Sequence, residues 1–100
     1  MNDIETGVVT RLVAFLAERG YKPVQANDGE DWEPIGPTAK DVIEAVEATG
    51  DAWIRFDNGK LEPRPRVWLI QGNGTDICSD WSTSITPDMD AFCDKEEARG

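Results

Sequence analysis

A chain of 100 residues with 39% apolar content and four Trp, three Phe and one Tyr can build one hydrophobic core but not two. It is too rich in aromatics for a disordered acidic tail. Twenty Asp and Glu against ten Lys and Arg leave a formal charge of −10, which argues against nucleic acid and anionic membrane as direct partners, because both are bound by neutralising phosphates with Lys and Arg.

A basic protein, a basic groove or a cation suits this charge better, and solubility alone is the plain alternative. No apolar run approaches the roughly 20 residues of a membrane span, and "MNDIETGVV" lacks the basic region of a signal peptide. A cytoplasmic domain is expected, with Cys78 and Cys93 as free thiols under the usual redox rule.

The segment "NDIETGVVTRLVAFLAERGYKP" predicts a helix. Asn2 or Asp3 can cap it, and Glu5 suits the positive end of the dipole. Ile4, Val8, Leu12, Phe15 and Leu16 form one apolar stripe, Gly20 can take the left-handed position after the helix, and Pro23 prevents resumption. In "YKPVQANDGEDWEPIGP" the Asn27-Asp28-Gly29 turn chemistry separates Val24 from Trp32 and Ile35, as a short hairpin or an ordered loop. "PTAKDVIEAVEATG" predicts a second helix capped by Thr38, with Asp41 three residues on, buried through Val42, Ile43 and Val46 and stopped by Gly50.

From Asp51 the period becomes two. Ala52, Ile54 and Phe56 take one face of a strand and Trp53, Arg55 and Asp57 the other. Asn58-Gly59 signals a two-residue hairpin, although Pro63 and Pro65 interrupt ladder pairing until about Arg66. Residues 66–71 and "TDICSDW" are read as two further antiparallel strands around the "GNG" turn. "TPDMDAFCDKEEARG" reads as a short helix with Thr86 as cap and Pro87 in the first turn. The expected fold class is α+β in a single domain spanning the chain: a two-layer sandwich in which a three-stranded antiparallel meander, with a short extra hairpin as an option, packs against two amphipathic helices.

With no histidine in the chain, the usual neutral-pH base and every His-dependent triad are missing. Two Cys fifteen apart match no zinc spacing, so no metal and no cofactor is assigned. "GNGTD" lacks the dinucleotide fingerprint and lies between strands, which makes it a hairpin turn rather than a phosphate loop. On a regular strand Asp76 and Asp80 share a face roughly 13 Å apart, too far for a carboxylate dyad.

The tryptophans carry the strongest expectation. Trp53 points away from the helix-covered side, and Trp68 and Trp81 either join it there as a contact patch or, after a bulge near Pro65, Trp68 enters the core. Trp32, beside Asp28, Glu30 and Asp31, suits contact with a basic partner. Segment 55–66 concentrates Arg55, Lys60, Arg64 and Arg66, either to orient an approach or to neutralise acids within the chain.

The stretch "VWLIQGNGTDICSDWSTS" resembles a family of small acidic proteins encoded by tailed bacteriophages and prophages. Those proteins carry an aromatic-rich strand, a Gly-Asn turn, and an Asp-x-x-Ser-Asp-aromatic strand followed by Ser or Thr. The matching positions are Trp68, Gly72, Asn73, Asp76, Ser79, Asp80, Trp81 and Ser82. The family has Tyr where this chain has Trp81. The resemblance implies a phage or prophage origin and a place in the bacterial host cytoplasm, and it implies no activity.

The expected function is therefore a non-enzymatic accessory protein acting by protein–protein contact, directed at a host factor or another phage protein. Its footprint is Trp32 with Asp28, Glu30 and Asp31, or the sheet face of Trp53, Trp68 and Trp81 with Asp76 and Asp80; a homodimer is a further use of that face. One alternative is a carboxylate-based divalent-cation binder or hydrolase using Asp76, Asp80, Asp57 or Asp51. Another is a DNA mimic whose spaced carboxylates occupy a nucleic-acid-binding groove.

Overall fold

A computed structural model describes residues 1–27 and 29–99. The chain runs α1 (Asp3–Glu18), β1 (Lys22–Asn27), β2 (Trp32–Pro34), α2 (Ala39–Thr49), β3 (Asp51–Asp57), β4 (Arg66–Ile70), β5 (Cys78–Trp81) and α3 (Thr86–Arg99). The strands form one antiparallel sheet in the order β2-β1-β3-β4-β5. The expected meander is its β3-β4-β5 half. The β1-β2 hairpin extends the same sheet, and the helix expected to be short, α3, is 14 residues long.

Both leading helices start where their caps require. Asn2 Oδ1 accepts from the Glu5 N–H (2.8 Å), and Thr38 Oγ1 accepts from the Asp41 N–H (3.2 Å), with Asp41 answering on the Thr38 N–H (3.1 Å). α1 ends in a Schellman pair: Gly20, at φ +90°, donates to Ala17 and Tyr21 donates to Leu16. Thr86 already has helical dihedrals, because the chain enters α3 through a 3-10 turn at Thr83–Ile85, so the cap expected at Thr86 is not needed there.

The core lies between the helices and one face of the sheet. Val8, Leu12 and Leu16 of α1 and Val42 and Val46 of α2 meet Ala52, Ile54, Phe56, Val67 and Leu69, all buried. α3 closes the layer with Met89 and Phe92, the latter 5.5 Å from the Phe15 ring. Across the helices, Arg11 donates twice to Glu96, at 2.8 Å each.

Ile4, expected in the apolar stripe, is 59% exposed, whereas Glu5 is 1% exposed. The reason is a long-range partnership. Glu5 Oε2 accepts from the N–H groups of Gly72 (2.6 Å) and Gly74 (3.0 Å), so the start of α1 is rotated to bring the carboxylate, not Ile4, inward.

The loops also differ from their sequence signals. Asn58-Gly59 does not close a two-residue hairpin: Asn58 Oδ1 accepts from Lys60 and Leu61, and pairing resumes at Arg66, beyond the prolines. Gly74–Asp76 coils into a 3-10 turn, so the last strand starts only at Cys78.

Candidate functional site: the uncovered sheet face

Cross-strand partners share a face, so the register fixes what the helix-free side presents. One row across the sheet reads Trp32, Asn27, Trp53, Trp68 and Asp80; the next reads Pro34, Gln25, Arg55 and Arg66. Trp68 thus faces out, and the bulge that would have buried it does not occur on its own strand.

A bulge occurs on β5 instead. Trp68 pairs with Asp80 but Leu69 pairs with Cys78, leaving Ser79 as the extra residue. The extra residue returns Trp81 to the helix side, opposite Val67 and packed against the core. The expectation that Trp81 joins the contact patch is corrected accordingly. Asp76 is corrected too: it lies on the exposed 3-10 turn, off the strand, and shares no face with Asp80.

The three remaining indoles form a connected array with two guanidinium groups. Arg55 lies 3.8 Å over the Trp32 ring and Arg66 lies 4.6 Å over Trp53, both within cation–π range. Trp53 and Trp68 meet edge to face at 4.8 Å. Gln25 Oε1 steadies Arg55 by accepting from Nη1 at 2.9 Å. The rings are half-buried by these neighbours and lie outside the core cluster.

Of the acids expected around Trp32, Glu30 and Asp31 are exposed in the loop before β2, and Asp28 lies outside the described residues. The cation expected to meet the Trp32 ring from a partner is already supplied by this chain's Arg55. Sequence alternation put Arg55 on this face without assigning it to the site. Arg66 carried the same signal, two positions from Trp68 as Arg55 is from Trp53.

At the two ends of this same face, Asp51 and Asp57 close β3, about 20 Å apart at the usual strand rise, and Asp57 faces Arg64 at 3.7 Å. Among the described residues no group of three His, Cys, Asp or Glu gathers as a metal site. Cys78 and Cys93 are free thiols lining a groove of about 570 Å³ between α1 and α3. Burial, with Cys93 and Glu96 nearby, pushes the Cys78 thiol up to about 12, and burial with surrounding acids raises Cys93 as well. No helix is long and apolar enough to cross a membrane among the described residues.

The "GNG" loop does form an anion cradle, and its anion is internal. Burial alone would raise the Glu5 pKa, but the N–H groups of Gly72, Gly74 and Asn2 and the nearby terminal ammonium outweigh it and hold the carboxyl below its ordinary value. The cradle is a structural clasp between α1 and the β4–β5 loop.

Compared with family models, curated proteins and solved structures, the chain matches none.

Proposed function

We propose that this protein is a non-enzymatic contact module whose helix-free sheet face docks a protein partner. The observation that carries the reading is the Trp32–Arg55 and Trp53–Arg66 stacking with Trp68 against Trp53, on the one sheet side that no helix covers. Trp and Arg are the residues that most often dominate binding energy at protein interfaces. A stacked, half-buried array also loses little side-chain entropy when a partner covers it. The phage or prophage origin, and with it work in the host cytoplasm, rests on the resemblance of residues 67–84 alone. A host factor is the target this origin suggests.

The test is affinity capture from the bacterial host with tagged parent, Trp53→Ala, Trp68→Ala and Trp81→Ala chains, each first checked for folding by circular dichroism. The Trp53 and Trp68 variants are expected to stay folded and lose about tenfold or more of the captured partner. Trp81→Ala is expected to lower stability and spare capture per folded molecule. Equal capture by parent and both face variants would refute the reading.

A further inference from the structure

Arg55 and Arg66 are directly opposite each other in the β3–β4 ladder. Like charges so placed destabilise a sheet, and this chain has acids to spare: twenty against ten bases. The other four arginines each meet a carboxylate: Arg11 and Arg99 share Glu96, Arg19 meets Asp88 and Arg64 meets Asp57. Arg55 and Arg66 alone among the arginines form no ion pair among the described residues, and they occupy the middle of the uncovered face. Stacking uses the flat side of a guanidinium and leaves its in-plane N–H groups for a carboxylate, apart from the one at Arg55 Nη1 that Gln25 takes.

Resting on the contact reading above, we infer that the partner of this face is an acidic protein segment, alternating carboxylate and apolar side chains, whose carboxylates engage Arg55 and Arg66 while its apolar groups cover Trp53 and Trp68. Charge complementarity selects this occupant over two others. A second copy would set its own two cations against these. A single-stranded nucleic acid would need open ring faces for its bases, and guanidinium groups already cover Trp32 and Trp53.

The chain's overall negative charge does not forbid an acidic partner. α1, α2 and α3 hold three, three and five of its acids, on the far side of the sheet. The face's own acids, Asp51, Asp57 and Asp80, lie at its ends and on its edge strand, with Asp57 answering Arg64, so the guanidinium pair at its centre is the charge that a docking segment meets first.

Tryptophan fluorescence of the full chain can be titrated with three peptides of equal length that alternate Leu with Glu, Gln or Lys, and with oligothymidylate. The Glu peptide is expected to bind with Kd on the order of 0.1–1 mM and the Gln peptide at least about tenfold more weakly. Arg55→Gln and Arg66→Gln should each cost about tenfold while the chain stays folded, since relief of the like-charge pair and loss of ring stacking act on stability in opposite senses, and Arg→Lys at either position should restore only part, because the charge returns without the fork.

Equal binding of the Glu and Gln peptides, tighter binding of the Lys peptide, or no binding of the Glu peptide at millimolar concentration overturns the inference. Tighter binding of oligothymidylate overturns it in favour of a stacking platform. Sedimentation showing a dimer that Arg55→Gln dissociates overturns it in favour of a second copy. The two readings fail separately: if Trp53→Ala abolishes capture while both Arg→Gln variants retain it, the contact face stands and the acidic partner falls, whereas undiminished capture by Trp53→Ala and Trp68→Ala sinks the contact reading itself.

Discussion

Replacing Glu5 with glutamine keeps the shape of the side chain and removes its charge. In the parent, Oε2 accepts from Gly72 at 2.6 Å and Gly74 at 3.0 Å, and Oε1 accepts from Asn2 at 3.4 Å. The amide oxygen of Gln can still face the two glycines, but its NH2 then faces the Asn2 N–H, and that bond is lost. Bonds to a charged acceptor contribute about 1.5–3 kcal/mol each and neutral ones about 0.5–1.5. The glycine pair therefore weakens by about 2 kcal/mol, while the lost Asn2 bond and the cheaper burial of a neutral amide act in opposite directions and leave the total near that figure.

A domain of this size shifts by about 4–8 °C per kcal/mol, so Glu5→Gln should melt about 8–16 °C below the parent at pH 7. The loss should also depend on pH. The folded pKa of Glu5 lies below its unfolded value of about 4.3, so below that value the unfolded chain takes up a proton that the folded one resists. The carboxylate's contribution is thus complete above the unfolded pKa and fades as pH falls through the folded one. Urea melts of parent and variant should show a constant gap from pH 7 to about 5 and a shrinking gap below about 4.5. A melting difference under about 2 °C at pH 7, or a gap unchanged down to pH 3, would refute the clasp as a source of stability.

Gly72→Ala tests the other half of the clasp. A Cβ there meets nothing within 4 Å, and Gly72 sits at φ +102°, so the expected loss of about 1–3 kcal/mol in urea melts is purely one of backbone strain; unchanged stability would show that the loop adopts another conformation at no cost. Cys78, pushed up to about 12 by burial, should react with iodoacetamide at pH 8 about a thousandfold more slowly than a free thiol and at the ordinary rate in denaturant. Peptide mapping that finds Cys78 labelled rapidly in the native protein would contradict the burial of its thiol.

Much of the scaffold was legible because its signals are local. The caps at Asn2 and Thr38, the stop at Gly20 and the alternation of Ala52, Ile54 and Phe56 each depend on residues within a few positions of one another. The candidate site was half legible for the same reason. Trp53 and Arg55 were assigned to the outer face by alternation alone, but Trp68 needed the actual register and Trp32 needed a sheet position that a three-residue strand does not announce.

What the amino-acid order determined by itself is therefore the first two helices, their ends and the inward side of β3, since these follow from hydrogen-bond geometry and apolar spacing within single segments. Only the tertiary structure decided that Glu5 rather than Ile4 turns inward, because its partners lie 67 and 69 residues away. It also decided that Trp81 joins the core: the single extra residue at Ser79 reverses every side chain beyond it, and a shift of that kind is chosen by how β5 pairs with β4, not by the residues of β5 alone.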